Sequence, residues 1–439
     1  MTIHVVREGD SLYKIAQQYG VPLQTLLREN ELAEPERLTP GQVILVRFPR
    51  QTHFIQPGDT LSSIARLYGT TVNALWQNNP GLRGSDVLTP GETLVVSYQE
   101  MKKGRLAVNG YAYPFIDETV LRTTLPYLTY LSVFSTGFDD TGRLIPLERT
   151  NVPAIAREYG VVPLLVLTTL DAGGRFSGER AARFLENPTA RQALIASLTA
   201  YLTEQGYGGV DVDFEYIPPA EGPAYAAFIG ELTRALNESG LQVMTALAPK
   251  TSEQQRGLLY EAHNYADLGA ASNDALLMTY EWGYARSQPM AVAPIDKVER
   301  VIAFGTSVIP PEKIFMGIPN YGYDWTLPYV EGESVARSIG NVEAVEQAID
   351  VGAFIEYDET AQTPHYNYFR DAREHEVWFE DARSIQAKLA LAQRYGLRGV
   401  SIWNIMKWFP QLWAVLSAEY RIEKVANHRQ SAQNQENQG

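Results

Sequence analysis

Residues 208–215 read Gly208-Gly209-Val210-Asp211-Val212-Asp213-Phe214-Glu215, a run in which three acidic side chains alternate with apolar ones. Side chains two residues apart on a strand point to the same face. Asp211, Asp213 and Glu215 are therefore expected along one face of a strand whose other face is buried. Carboxylates this close repel one another, so at least one should keep its proton near neutral pH. A protonated carboxyl beside an ionised one is what a glycosidase uses for acid catalysis.

On both sides of this stretch, from Arg105 onward, apolar strands alternate with amphipathic helices. Strands are predicted at 106–111, 130–134, 162–167, 210–214, 243–248, 275–279, 313–318 and 399–402, and helices at 191–204, 224–237 and 295–304. Eight apolar strands with crossover helices predict an α/β fold, a (β/α)8 TIM barrel. The gap between strands seven and eight is too long for one helix. It predicts an α+β insertion at about 327–378, with strands at 354–357, 365–369 and 376–379.

The first hundred residues contain an internal repeat. Residues 4–12 match residues 53–61 at an offset of 49, and Leu-Thr-Pro-Gly at 38–41 recurs at 88–91. Each copy predicts the order strand, helix, helix, strand, with Asp10-Ser11 and Asp59-Thr60 where a helix N-cap belongs. Two small βααβ domains are therefore predicted, at 1–48 and 51–98.

Composition narrows the classes of function. The 439 residues carry a net charge of −14, which argues against nucleic acid as a partner. The chain has no cysteine, so disulfides and Cys-ligated metals are excluded, and its six histidines lack metal-binding spacing. No metal or cofactor is expected. No apolar run is long enough for a signal peptide or a membrane span, and a soluble monomer without a secretory signal is expected.

The N-terminal repeat resembles the LysM domain, a βααβ module that binds N-acetylglucosamine-containing glycans. The resemblance implies a sugar between the loop after the first strand and the loop after the second helix. The implied glycan-binding residues are Gly9, Asp10, Ser11, Leu12 and Asn30 in the first copy, and Gly58, Asp59, Thr60, Leu61 and Asn79 in the second.

The acidic stretch resembles the DGxDxDxE signature of glycoside hydrolase family 18. Met278-Thr279-Tyr280-Glu281 resembles that family's MxYD/N motif at strand six, and Val400-Ser401-Ile402-Trp403 resembles its strand-eight motif with a floor tryptophan. The resemblance implies a catalytic domain at 104–424, followed by a polar tail at 427–439. Two positions depart from the pattern: Gly208 stands where the family has its first Asp, and Glu281 stands where it has Asp or Asn.

The resemblance implies a retaining mechanism in which the substrate's own N-acetyl oxygen is the nucleophile. Glu215 would protonate the glycosidic oxygen and then activate water. Asp213 would orient the acetamido group, Tyr280 would hydrogen-bond its carbonyl oxygen, and Asp211 would share a proton with Asp213. Further sugar contacts are expected among Trp403, Tyr111, Met278, Trp282, Asn320, Tyr321 and Trp325.

Two LysM domains ahead of such a barrel resemble the N-acetylglucosaminidases that degrade spore-cortex fragments in spore-forming bacteria. This predicts a peptidoglycan glycosidase in the coat and cortex region of the spore, made without a secretory signal peptide. Two alternatives stay open: a LysM-targeted chitinase or chitooligosaccharidase, and a non-catalytic glycan-binding wall protein. The presence of Glu215, Asp213 and Tyr280 disfavours the non-catalytic alternative.

Overall fold

A computed structural model of the chain describes residues 1–32, 36–147, 150–170 and 173–425. In these ranges the strands form four sheets: one of two strands in each N-terminal repeat, one of ten strands and one of five. The predicted polar tail at 427–439 lies outside the described residues.

Each N-terminal repeat is a βααβ unit, as predicted. The first contains β1 (Thr2–Val5), α1 (Leu12–Tyr19), α2 (Leu23–Asn30) and β2 (Val43–Val46), and the second contains β3 (Pro49–Phe54), α3 (Leu61–Tyr68), α4 (Val72–Asn78) and β4 (Thr93–Tyr98). The side chains of Ser11 and Thr60 cap α1 and α3 by accepting the backbone N–H groups of Lys14 and Ser63. These caps satisfy backbone donors that have no partner inside the helix.

The next part of the chain alternates strands with helices. The strands are β5 (Gly104–Ala112), β6 (Tyr130–Phe138), β7 (Leu144–Ile145), β8 (Val162–Thr168), β9 (Gly209–Asp213), β10 (Gln242–Leu247), β11 (Asp274–Leu277) and β12 (Ile314–Pro319). The helices are α5 (Glu118–Thr124), α6 (Val152–Glu158), α7 (Gly178–Leu185), α8 (Pro188–Gln205), α9 (Gly222–Glu238), α10 (Tyr265–Ala271) and α11 (Ile295–Val308).

An α+β insertion follows β12. It contains β13 (Gly322–Thr326), β14 (Arg337–Ile339), α12 (Asn341–Val351), β15 (Glu356–Asp358), β16 (Thr363–Arg370) and β17 (Arg373–Trp378). The sequence-based range of 327–378 was wrong at its start, because it left out β13. That strand pairs with both β14 and β17. Such non-local pairing leaves little trace in the local sequence pattern.

The chain then returns to the barrel through α13 (Ala382–Arg394), β18 (Gly399–Trp403), α14 (Pro410–Glu419) and β19 (Tyr420–Ile422). Strand β18 runs parallel to both β12 and β5, and β5 pairs in turn with β6. The eight strands β5, β6, β8, β9, β10, β11, β12 and β18 thus close into a cylinder. The predicted TIM barrel is confirmed.

Strand β9 shows why the acidic stretch adopts this register. Val210, Val212 and Phe214 are fully buried in the layer between the strands and the surrounding helices. Burying each such side chain contributes roughly 1.5–3 kcal/mol. A slip of one residue would instead push Asp211 and Asp213 into that apolar layer. The apolar face therefore holds the two carboxylates toward the barrel interior.

The first repeat packs directly on the barrel. Val43 and Leu45 of β2 belong to the same hydrophobic core as the barrel and its helices, while the alternate residues of β2 fill the repeat's own core. The hydroxyl of Thr39 donates to the carbonyl oxygen of Ala353 at 2.6 Å. The amide of Gln411 donates to the carbonyl of Val43 at 3.0 Å.

The second repeat is attached in a similar way. The side-chain amides of Asn73 and Gln77 donate to the carbonyl oxygen of Pro126 at 3.0 and 2.8 Å. The hydroxyl of Tyr159 donates to the carbonyl of Gly84 at 2.6 Å. The two repeats and the barrel therefore form one packed body.

Among the described residues, no helix is both long and apolar enough to cross a lipid bilayer.

Candidate active site

Three of the predicted site residues, Glu215, Tyr280 and Trp403, lie at the carboxyl end of the barrel strands. Glu215 follows the end of β9 by two residues, Tyr280 follows the end of β11 by three, and Trp403 is the last residue of β18. Active sites of such barrels form at this end, because the strand-to-helix loops converge there. The structure thus brings together three residues that are far apart in the sequence.

Asp211 lies deepest in the site and is fully buried. Its Oδ2 accepts a hydrogen bond from the Ser132 hydroxyl at 2.8 Å, and the Asn109 amide donates to that hydroxyl at 3.0 Å. Burial raises the pKa of Asp211 to about 6, against hydrogen bonds from Tyr111 and Ser132 that lower it. Asp211 therefore titrates close to the physiological range.

Asp213 is also buried, and its Oδ1 has no hydrogen-bond partner among the described residues. Burial raises the pKa of Asp213 well above its usual range, and the negative charges of Glu215 and Asp211 raise it further. Three acids this close exchange protons as a group. Asp213 is consequently the carboxyl that holds a proton most readily.

Glu215 is half-buried at the mouth of the barrel. Burial raises the pKa of Glu215 to about 7, with a smaller contribution from the charge of Glu281. A general acid works best when its pKa lies near the working pH. Glu215 has both the exposure to reach a substrate and the proton to give it.

Glu281 follows Tyr280 and has a backbone φ of 64°, in the left-handed region that non-glycine residues rarely adopt. The hydroxyls of Tyr321 and Tyr323 both donate to its carboxylate, the second at 3.1 Å. From the sequence, Glu281 was only a departure from the family motif. The structure gives it two fixed donors and a place within electrostatic reach of Glu215.

The charge of Glu281 should set the alkaline limit of activity. Because its negative charge raises the pKa of Glu215, Glu281→Gln should lower that pKa. The fall of kcat/KM at high pH, where Glu215 loses its proton, should then begin at lower pH. The measurement is kcat/KM against pH for both proteins, with Glu238→Gln at the exposed end of α9 as control. An alkaline limb that stays in place or moves upward would contradict this.

Aromatic side chains gather on the β18, β5 and β6 side of the mouth. The Trp403 ring, which is partly exposed, lies 5.2 Å from Tyr111 and 5.2 Å from Phe134 between centroids, edge-on to both. Tyr113 lies 6.4 Å from the same tryptophan. Trp403 thus remains available as a sugar-binding surface. Phe134 was missed, because nothing in its local sequence separates it from an ordinary strand residue.

Two exposed tyrosines on the other side of the mouth were also missed. Tyr216 is 42% exposed and Tyr284 is 43% exposed. The charge of Glu215 and the hydroxyl of Tyr284 both act on the Tyr216 hydroxyl, so the three groups are close neighbours. The position of Tyr216 directly after Glu215 was the available signal.

Three predicted sugar contacts have buried side chains, and they stay predictions. Trp325 is 1% exposed, and its indole N–H donates to the carbonyl of Ser287 at 2.8 Å. Asn320 is 4% exposed, and its amide donates to the carbonyl oxygens of Asn404 and Lys407. Tyr111 is also buried, and its hydroxyl bonds to Asp211 instead of facing the groove.

The other predicted contacts have varied surroundings. Met278 is half-buried against the interior core of the barrel. Trp282 is half-buried beside Tyr280 and Glu281 and lines a pocket with them. The Tyr321 hydroxyl donates a hydrogen bond to the carboxylate of Glu281. All three stay predictions as sugar contacts.

In the N-terminal repeats, the two asparagines predicted as glycan contacts have buried, hydrogen-bonded side chains. Asn30 donates to the carbonyls of Leu26 and Leu45 and accepts from the backbone N–H of Leu45. Asn79 makes the same three bonds in the second repeat. Each asparagine ties the second helix to the closing strand of its own repeat, and both stay predictions as glycan contacts.

The predicted contacts in the first loop of each repeat are also largely structural. Leu12 and Leu61 are buried in the repeat cores and stay predictions as glycan contacts. Asp10 accepts from the backbone N–H of Arg7 and is bonded to His4, and Asp59 is bonded in the same way to its own histidine, His53. Of the ten residues, Gly9, Gly58 and Thr60 are exposed, and Ser11 and Thr60 serve as helix caps.

Gly208 has a steric explanation. A Cβ atom at this position would lie 2.2 Å from Cγ1 of Val162, closer than two carbon atoms can approach. The space that the family aspartate would need is therefore occupied by Val162. The Asp211 carboxylate is held by Ser132 and Tyr111.

Within the described ranges, no group of three or more His, Asp or Glu side chains is arranged to hold a metal ion.

Comparison with known proteins agrees with this geometry. The sequence model of "Glycosyl hydrolases family 18" matches residues 167–407, and that of "LysM domain" matches residues 4–47 and 53–97. The chain is 37% identical to the cortical fragment-lytic enzyme of Bacillus subtilis, over 97% of this chain and 99% of that protein. It is 33% identical to the putative sporulation-specific glycosylase YdhD of the same organism, over 97% and 100%.

Among solved structures, the chain resembles the spore cortex-lytic enzyme SleL of Bacillus megaterium QM B1551. The TM-score is 0.82 at 35% sequence identity, covering 97% of this chain and 99% of that one. The similarity therefore extends through the N-terminal repeats, the barrel and the insertion.

Proposed function

This chain belongs to glycosyl hydrolase family 18, and from that premise we propose that it is a retaining N-acetylglucosaminidase of spore-cortex peptidoglycan fragments. One observation carries the proposal. A half-buried glutamic acid with a pKa raised to about 7 stands at the barrel mouth, directly above two buried aspartic acids. This is the equipment for proton transfer to a glycosidic oxygen.

Glu215 acts twice in the proposed reaction. As an acid it gives its proton to the glycosidic oxygen while the bond to the anomeric carbon breaks. As a base it then takes a proton from the water that attacks the same carbon. A pKa near neutral suits both roles, because the two steps need opposite protonation states.

Asp213 and Tyr280 act on the 2-acetamido group. The acetamido oxygen attacks the anomeric carbon and forms a bicyclic oxazolinium ion, which water opens with net retention. Asp213, once ionised, stabilises the positive charge and orients the acetamido N–H. The Tyr280 hydroxyl holds the acetamido oxygen near the carbon that it attacks, and Asp211 takes up the proton that Asp213 releases.

Substrate chemistry follows from this nucleophile. The sugar before the broken bond must carry a flexible acetamido group. N-acetylglucosamine meets that condition, whereas in muramic-δ-lactam the amino group is locked in a ring. We propose cleavage on the reducing side of N-acetylglucosamine, with the muramic sugar as leaving group. The two LysM domains supply additional binding to glycan of the same composition.

The proposed location rests on the relatives. Those with the highest coverage bear names that connect them to the spore cortex or to sporulation. We propose that this chain likewise works in the cortex region of the spore, as a monomer.

Analysis of reaction products tests the proposal. Spore-cortex fragments are digested, the newly formed reducing ends are reduced with borohydride, and the masses of the products are determined by mass spectrometry. Every new end should be N-acetylglucosaminitol, since the lactam has no free acetamido group and N-acetylmuramic acid is proposed as the leaving sugar. Ends of muramic-δ-lactam would contradict the substrate-assisted mechanism, and ends of N-acetylmuramic acid would contradict the proposed choice of bond. A higher kcat/KM on chitooligosaccharides than on cortex fragments would favour the chitinase alternative.

A further inference from the structure

A pocket of about 410 Å³ adjoins the candidate catalytic residues. Its lining includes Tyr280, Glu281 and Trp282 from the loop after β11, and Lys297 and Arg300 from the first two turns of α11. In a barrel of this kind, the first turns of each helix lie at the same end as the catalytic loops. The pocket is therefore continuous with the mouth of the barrel.

The pocket lies on the leaving-group side of the proposed groove. The sugar before the broken bond is proposed to rest on Trp403, whose aromatic neighbours lie on β5 and β6. Glu215, after β9, must reach the oxygen between the two sugars. The following sugar therefore extends toward the loops after β10 and β11, which line the pocket.

Lys297 is the distinctive side chain of this pocket. It is half-buried, and no carboxylate oxygen of the described residues lies within 4.0 Å of its ammonium group. Arg300, in contrast, pairs with Asp296 at 3.4 Å. A partly desolvated ammonium without a counter-charge is unfavourable, and a bound anion would remove that cost.

The position of Lys297 in its helix strengthens the argument. It is the third residue of α11, where the aligned peptide dipoles present positive charge. Anions are favoured at this end of a helix and cations are disfavoured. Residues that break a local rule of this kind are expected mainly at functional sites. A bound carboxylate would interact favourably with both the ammonium and the helix.

Building on the proposed function, we propose that this pocket binds a carboxylate of the peptide carried by the muramic acid on the leaving side. Lys297 is the principal contact and Arg300 the second. Glu281, held by Tyr321 and Tyr323, also lines the pocket, and its negative charge repels a carboxylate and so directs it to Lys297. Muramic-δ-lactam carries no such peptide, so the pocket adds nothing to its binding.

The test compares two substrates that differ in the peptide alone. Reduced cortex fragments with intact peptides are compared with the same fragments after an amidase has removed the peptides and the lactyl carboxylate exposed by that hydrolysis has been capped as its methylamide. The quantity measured is the ratio of kcat/KM for the peptide-bearing fragments to kcat/KM for the peptide-free fragments. In the wild-type chain this ratio should exceed one, and added salt should lower it. Lys297→Gln should lower this ratio about tenfold, since one hydrogen bond to a charged group is lost.

Two control variants distinguish loss of peptide recognition from a general loss of activity. Arg234→Gln, at an exposed arginine of α9, should leave the ratio unchanged, and Lys297→Arg should largely retain it. An unchanged ratio in Lys297→Gln would overturn the inference, as would an equal loss on both substrates. In either case, cleavage of the peptide-free fragments would leave the proposed function standing. If the wild-type chain cleaved neither substrate, the proposed function would fail, and this inference with it.

Discussion

Glu215→Gln is expected to lower kcat by about 10²–10⁴-fold, the range for removal of a positioned general acid. The amide has nearly the same shape as the carboxyl but has no proton to give to the glycosidic oxygen. Glu215 is half-buried, and within the described part of the chain its carboxylate has no hydrogen bond or ion pair, so the variant should fold as the wild-type does. The measurement is single-turnover cleavage of cortex fragments, alongside thermal unfolding.

A substrate with an acidic leaving group makes this test more specific. An aryl glycoside of N-acetylglucosamine releases a phenolate that needs little protonation, so bond breaking should be much less affected by Glu215→Gln. Turnover of the natural substrate should fall steeply in the same preparation. Unchanged turnover of cortex fragments by the folded variant would rule out Glu215 as the acid. Glu238→Gln serves as a matched change at an exposed position.

Asp213→Asn is expected to lower kcat by about 10²–10³-fold, because the oxazolinium ion loses the negative charge that stabilises it. The same change should not weaken the fold. Burial raises the pKa of Asp213 above its unfolded value, so ionising it in the folded protein costs stability as pH rises from about 4 toward that raised pKa. Asparagine removes this cost.

The measurement is the unfolding temperature of both proteins at pH 5 and pH 8. The wild-type should lose more stability between these values than Asp213→Asn does, while only the wild-type retains activity. A variant that is inactive and also less stable at pH 8 would indicate a structural role for Asp213. A variant within a few-fold of wild-type activity would exclude it from the stabilisation of the intermediate.

Much of the candidate site was predictable from the sequence, and the acidic stretch shows why. Its alternation has a period of two, and a period of two with one apolar face defines a strand and its register. The chemistry of Asp211, Asp213 and Glu215 therefore came from local pattern alone. In contrast, the partners that tune these acids were not predictable. Ser132 lies 79 residues from Asp211 in the sequence, and it is brought there by barrel closure.

The insertion and the aromatic residues show the opposite case. Trp325 and Trp403 are both tryptophans near strand ends, and local sequence does not distinguish them. Trp325, on β13, is buried, whereas Trp403 lies partly exposed at the barrel mouth. Burial is the sum of contacts with elements distant in the sequence, so it could not be read from the residues around either one.

The sequence by itself determined the barrel, the two N-terminal repeats and the position of the acid, because periodicity and helix caps act within a few residues. The tertiary structure alone decided how the repeats attach. Thr39 and Gly41 of the first repeat lie against the insertion, whereas the matching Thr89 and Gly91 of the second are exposed. Nearly identical sequences thus take different roles, because what each one packs against is set by contacts across more than 300 residues of chain.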